Sequence, residues 1–253
     1  MTIPAAIVTV GLIAAASTQH RGSRSSRRRE AKPAVPLDTR EKLAELLRGG
    51  DPAGLGQVLA IWRSLTNEPL DLSGTDLTGA ELSFADLRNA RFDGANLTDA
   101  LVDEANFEGA SFRGASMEGV VGTDPNFSQA DLSKTSLHWG ELQGGNFTNA
   151  NLSNSNLHDA TLIYGNFTNA SFERADMDGT TIIGSNLTGA TFSGANLHRA
   201  YFEVNFPYDE GFASFRAAKF AGASYTSKTK WPRGFDPVAA GAVQCPACPR
   251  PST

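Results

Sequence analysis

The chain has 253 residues, 40% of them apolar and 19% charged, with a net charge of −5 and two cysteines. The charge is unevenly placed: ten basic against six acidic residues in 1–69 give +4, eight against twenty in 70–225 give −12, and four against one in 226–253 give +3. An acidic central region excludes direct nucleic-acid binding by its own surface, because a phosphate backbone needs basic partners.

Residues 1–20 contain an almost purely apolar run from Ile3 to Ala16, and 21–36 form a basic, Ser-rich linker with Arg21, Arg24, Arg27, Arg28 and Arg29 that cannot build a core. A secretory signal carries its positive charge ahead of the apolar run, whereas these arginines follow it. Positive-inside reasoning predicts a membrane anchor through residues 3–16 with the rest of the chain cytoplasmic. The run is short against the ~20 residues of a spanning helix, so a signal cleaved near Ala14-Ala15-Ala16, which makes the protein secreted, and a soluble cytoplasmic protein are the alternatives.

Residues 37–69 predict a helical N-terminal cap. Asp38 is the N-cap of a first helix that ends at Arg48 and Gly49, and Pro52 opens a second helix that runs to Leu65. Leu55, Val58, Leu59, Trp62 and Leu65 share one face of the second helix, suited to cover the open end of whatever follows.

From Leu72 to Phe202 an apolar residue recurs every five positions, twenty-seven times, with Gly122 the one exception. A period of five fits neither a helix nor a strand, so the chain turns a corner once per pentapeptide and stacks its coils as a solenoid. The residue two before each apolar centre is Ala in sixteen of the twenty-seven cases, including the unbroken series from Ala80 to Ala115, and Thr, Ser or Gly in eight more. Only a site pressed against neighbouring backbone excludes larger side chains so consistently, so the small and the large residue both point inward and the other three point outward.

Stretches such as Ala95-Asn96-Leu97-Thr98-Asp99 and Ala195-Asn196-Leu197-His198-Arg199 match Ala-(Asp/Asn)-Leu-x-x, and residues 70–225 resemble the pentapeptide-repeat family. The resemblance implies an all-β solenoid, a right-handed quadrilateral β-helix with twenty residues per coil. The larger period is also visible in the chain, since Phe107, Phe127, Phe147 and Phe167 recur at twenty beside Asn106, Asn126, Asn146, Asn166 and Asn186. Nearly seven coils at ~4.8 Å each make a rod about 30 Å long. The Trp62 helix running into Asp71-Leu72-Ser73-Gly74 is similar to the lead-in of many such chains. After Phe202 the register breaks over Glu203 to Phe212, then resumes with Ala213/Phe215, Ala218/Phe220 and Ala223/Tyr225, which predicts an inserted loop. Residues 226–245 resemble the family's closing tail, with Trp231 and Phe235 as a C-terminal cap, and 246–253 read as a disordered tail.

No catalytic constellation is present and no cofactor is implied: there is neither a Ser-His-Asp arrangement nor a phosphate-binding glycine loop, and single acids in outward ladders are solvated far more often than catalytic. The four Asn-x-Thr sequences at Asn96, Asn146, Asn166 and Asn186 are the repeat followed by Thr and carry no weight as glycosylation sites. Cys245-Pro246-Ala247-Cys248 supplies half of a zinc site. His138, His158, Asp178 and His198 fall in one outward column, which suits a divalent metal if its ligands are held by further groups.

The main departure from the repeat lies on one face. Where three columns carry mostly Asn, Asp, Ser or Thr before the apolar centre, the fourth runs Glu81, Leu101, Val121, Glu141, Thr161, Thr181, Tyr201, with Ile163 and Ile183 after the centre and Phe84, Trp139 and Tyr164 at the adjoining corners. Isolated exposed apolar residues need no explanation, but this many on one face mark a contact patch. Gly122, with Pro125 beside it, predicts a dent in that face. The expectation is a non-enzymatic scaffold that binds an as yet unidentified protein partner through Phe84, Leu101, Val121, Trp139, Thr161, Ile163, Tyr164, Ile183 and Tyr201. The alternative implied by the resemblance is binding to DNA gyrase in place of DNA, as family members with an acidic rod do.

Overall fold

The computed structural model describes residues 45, 47–49, 69–202 and 214–245. The expected membrane segment, the basic linker, most of the helical cap, the loop at 203–212 and the tail with Cys248 lie outside these residues. Among the described residues no helix is long and apolar enough to cross a membrane.

The pentapeptide does what its composition demands. As far as Tyr201 each coil closes on the next through parallel bridges at an interval of twenty, such as Asp71 with Arg91, Asp76 with Asn96, Glu81 with Leu101 and Asp86 with Asn106. These four columns define four faces, numbered 1 to 4 in that order. Along each, the centre's N–H donates to the next coil, as from Leu72 to the Arg91 carbonyl at 2.7 Å, while the Arg91 N–H donates back to Leu70 at 2.8 Å. Longer strands form where the corner is relaxed. Strand β1 (Val121–Thr123) pairs in parallel with β2 (Glu141–Gln143) on face 3, and β3 (Ser224–Tyr225) pairs with β4 (Val243–Gln244) near the C-terminal end.

Each regular corner is a four-residue turn in which the residue three beyond the centre donates back to it, as Thr75 does to Leu72 at 3.2 Å. The second central residue of the turn has positive φ, in Gly at many corners but also in Asn89, Asp99, Trp139, Asp159 and Tyr164. A left-handed residue at that place is the mark of a type II turn. Pro125 has no N–H to close such a turn, which is why the chain stays extended through β1.

The core is a set of stacked columns. Phe107, Phe127, Phe147 and Phe167 stack with ring centroids 4.9, 5.1 and 4.7 Å apart and nearly parallel planes behind face 4. Phe172, Phe192 and Phe220 do the same behind face 1 at 5.0 and 4.7 Å. The rings leave no room beside them: a Cβ at Gly165 would stand 2.6 Å from Phe167 Cε2 and 3.2 Å from the Gly145 carbonyl oxygen. Gly165→Ala is therefore expected to destabilise by about 1–3 kcal/mol, in the range of an overpacked core, which urea denaturation of the variant checks.

The dent expected at Gly122 is filled from the coil before it. A Cβ there would meet Val102 Cγ2 at 2.6 Å and the Val102 carbonyl at 3.1 Å, so the missing side chain is replaced by closer packing. At the N-terminal end Glu45, Leu47 and Arg48 are helical. Leu47 is buried in the core cluster and accepts a hydrogen bond from the Glu81 N–H at 3.3 Å, while Arg48 reaches the Asp76 carbonyl. At the other end Trp231 stacks on Phe202 at 5.2 Å, and Phe235 lies against Phe215 and Trp231 at 4.8 and 5.1 Å. In the last coil the bridge interval grows from 20 to 28, as in Asn186 with Ser214 and Thr191 with Lys219, yet each residue returns to its own column.

Face 1 carries an ion pair between Arg113 and Asp131. Burial raises the Asp131 carboxyl, but hydrogen bonds from Ser133 and Arg113 and the guanidinium charge outweigh it and hold the group below its ordinary value. A carboxyl with a depressed folded-state pKa contributes stability above its unfolded value, ~3.9, and loses it as pH falls through the lower folded value. Asp131→Asn is accordingly expected to lower stability at neutral pH and to flatten part of its decline in acid, measured as urea midpoints from neutral pH down to about pH 3.

Candidate functional site

On faces 1, 2 and 4 an Asn or Asp before the centre fixes the strand locally. Its Oδ1 accepts the N–H of the residue after the centre, as Asn156 does from His158 at 3.0 Å, Asp176 from Asp178 at 3.2 Å and Asn196 from His198 at 3.1 Å. Face 3 gives much of this up. Leu101, Val121 and Tyr201 have no oxygen at the required place, and each side chain is instead directed to solvent. A net hydrogen bond contributes about 0.5–1.5 kcal/mol; beside Val121 the Thr123 N–H finds Asp103 Oδ1 of the preceding coil instead, at 2.7 Å.

The exposed apolar surface is concentrated accordingly. Of the eight large hydrophobic side chains exposed among the described residues, Phe84, Leu101, Val121, Trp139, Tyr164 and Tyr201 lie on face 3 or its corners, and only Val238 and Val243 lie elsewhere. Phe84 and Trp139 are 67% and 62% exposed. Thr161, Ile163 and Ile183 lie between them, half-buried. Trp139 stands on the edge shared with face 2 and Tyr164 on the edge shared with face 4, so the apolar side chains span the width of the face. From Glu81 to Tyr201 the face also holds Glu81, Asp103, Glu104, Asp124 and Glu141, and the edge that carries Trp139 holds Asp99, Asp159 and the one basic residue, Arg199.

The histidine column on face 2 is divided by the structure. His158 Nδ1 lies 3.2 Å from His138 Nε2 and 3.1 Å from Asp159 Oδ2. Asp178, buried in the same column, is engaged by Arg199, whose Nε donates to Oδ1 at 2.7 Å, and this bond raises the guanidinium above its ordinary value. His198 stands apart, its Nε2 buried without a hydrogen-bond partner among the described residues. Two residues that column arithmetic missed thus complete the cluster. Asp159 and Arg199 are corner residues with φ of 54°, and that left-handed backbone swings their side chains over the neighbouring coil. Gly179 makes room for the Asp159 carboxylate, since a Cβ there would stand 2.0 Å from its Oδ1. In the C-terminal segment Cys245 is disulfide-bonded.

The family model for pentapeptide repeats matches in eight copies, covering residues 71–102, 103–138, 130–163, 141–179 and 170–203, more than half of the chain. The chain belongs to the pentapeptide-repeat family. As in other pentapeptide-repeat proteins, the coil is a right-handed quadrilateral β-helix. Solved structures similar to it include QnrB1, a plasmid-mediated fluoroquinolone resistance protein, at 21% identity over 70% of this chain and 92% of that one with a TM-score of 0.35. HetL from the cyanobacterium Nostoc, a pentapeptide repeat protein involved in heterocyst differentiation regulation, is 24% identical over 66% of this chain and 95% of that one with a TM-score of 0.26. A pentapeptide repeat protein of the Arabidopsis thaliana thylakoid lumen is 31% identical over 50% of this chain and 67% of that one with a TM-score of 0.21. No curated protein matches. As a pentapeptide-repeat protein the chain is a repeat scaffold.

Proposed function

We propose that this pentapeptide-repeat protein is a non-enzymatic scaffold that binds a protein partner on face 3. The observation that carries the reading is the gathering, among the described residues, of six of the eight exposed large hydrophobic side chains on one face and its corners, three of them, Leu101, Val121 and Tyr201, at the position that mostly holds Asn, Asp, Ser or Thr on the other faces. Apolar side chains set among carboxylates, with Arg199 the one basic residue at the edge, suit a partner surface that is apolar and rimmed by Lys or Arg. The face is flat and rigid, so its partner meets a preformed surface rather than a pocket. Tethering to a membrane through residues 3–16 rests on the apolar run and the arginines after it.

The test is photocrosslinking in the cells that make the protein, with a benzophenone side chain placed at Tyr164 on face 3 or at Asn154 on face 1. A discrete adduct from position 164 alone supports the reading. The same adducts from both positions, or none from either, overturns it.

A second reading is favoured by charge. Faces 2 and 3 together hold most of the rod's excess of carboxylates, which supports an acidic surface standing in for DNA on DNA gyrase, with no nucleic acid bound by the rod itself. Inhibition of supercoiling that fades steeply with salt and is absent from an unrelated protein of equal charge supports this reading; no inhibition at micromolar protein rejects it.

A further inference from the structure

We propose that His138, His158 and Asp159 form a binding site for a late first-row divalent metal ion such as zinc. His138 Nε2, His158 Nδ1 and an Asp159 carboxylate oxygen all lie within 4.8 Å of one another. Two of the separations, 3.2 and 3.1 Å, are close to the ~3.3 Å between neighbouring ligand atoms around a tetrahedral ion with bonds of 2.0–2.1 Å. The ligand atoms are therefore already spaced for a common centre, and the half-buried position leaves the fourth place to water.

The protein's own hydrogen bonds leave this arrangement short of protons. His158 Nδ1 faces two partners but offers only one hydrogen or one lone pair when the ring is neutral, so it cannot make a full hydrogen bond to both. A cation accepting all three lone pairs removes that conflict. With Nδ1 on the metal, Nε2 carries the hydrogen, and Asp178 Oδ2, on a carboxylate held in place by Arg199, lies 3.8 Å away, beyond direct hydrogen-bond reach. Arg199 NH2, 3.4 Å from the same nitrogen, can only donate, so it faces a lone pair on Nε2 in the metal-free protein and turns toward Asp178 or Asp159 when the ion binds.

Three further features separate this cluster from an ordinary polar surface. Trp139 stacks on the His138 ring at 3.9 Å and 24°, which holds that ring in its orientation. Gly179 vacates the space that the Asp159 carboxylate occupies. Carboxylates also lie over Gly119 and Gly144, from Asp99 and Asp124, but among the described residues only Asp159 has two imidazoles against it. Imidazole with a single carboxylate selects zinc, cobalt, nickel or copper over magnesium or calcium.

The experiment is titration of the full-length, untagged protein with Co2+, followed by Trp fluorescence and by calorimetry, with Zn2+ as competitor and Mg2+ as control. The expected result is one ion per chain, quenching of Trp139, displacement by Zn2+ and no response to Mg2+. His158→Gln and Asp159→Asn, both at outward positions, are each expected to weaken binding by about a hundredfold or more, since each removes a ligand and loss of an outer-shell partner alone costs about 10–100-fold, with an unchanged far-ultraviolet spectrum. Trp139→Phe is expected to abolish the quenching and keep the stoichiometry. Binding that survives both ligand substitutions, quenching that survives Trp139→Phe, or no Zn2+ binding at micromolar concentration overturns the proposal.

Discussion

Replacing Phe147 by Ala is expected to destabilise the rod by about 3–5 kcal/mol, the cost of emptying a fully buried aromatic site. The ring is 0% exposed and lies between Phe127 at 5.1 Å and Phe167 at 4.7 Å, so the column loses both stacking contacts at once. Each coil touches only its neighbours, and a fault in the middle of the column weakens the coupling between the two halves. Urea denaturation followed by circular dichroism should therefore show both a lower midpoint and a broader or two-step transition. Phe147→Leu is the control, since Leu87 and Leu187 occupy the same column, and it is expected to cost about 1.5 kcal/mol or less. A loss of less than about 1 kcal/mol in the Ala variant means that the column closes around the gap.

The second large effect is on binding rather than stability. Leu101→Asn with Val121→Asn restores to face 3 the residue type that accepts a local hydrogen bond on the other faces. If the two apolar side chains served the coil, the pair would destabilise it. On the proposed reading stability is unchanged or rises, by up to ~1.5 kcal/mol for the bond restored at Leu101, the Thr123 N–H beside Val121 being already bonded to Asp103, while the photocrosslink from Tyr164 falls by about thirtyfold or more, as loss of central interface residues does. Ser in place of Ile163, Tyr164 and Ile183 together is expected to leave folding intact and to abolish partner capture in the same way. Unchanged capture in either variant removes face 3 from the binding surface.

The coil was legible in the chain because its rule is arithmetic. Leu or Phe every five positions with Ala two before it specifies which atoms point inward, and the twenty-residue recurrence of Phe and Asn assigns the columns. The unusual makeup of face 3 was legible for the same reason, since Leu101, Val121 and Tyr201 stand where the other columns carry Asn or Asp. What columns cannot give is the direction of a corner side chain. Asp159 and Arg199 belong to the turn, and their reach toward His158 follows from a left-handed backbone. The column His138, His158, Asp178, His198 is straight in sequence, yet it is divided by that reach into two imidazoles with Asp159, an Asp178 bound to Arg199, and a separate His198. Gly122 was legible as a missing side chain, but the answer came from Val102 in the preceding coil, a packing response that no single position encodes.

The last coil shows how length can change in such a rod. Between Asn186 and Ser214 the spacing is eight residues longer than elsewhere, and the bridges still join the same columns. Extra residues between two walls, eight between Tyr201 and Ser214 and one between Ser224 and Lys230, leave the pairing of the walls unchanged. The interval between Phe202 and Ser214 is therefore a natural grafting point. A foreign peptide or reporter inserted there adds its own chemistry without altering the surface that the other coils present, so the protein can be fitted with a label while face 3 and the histidine cluster are measured.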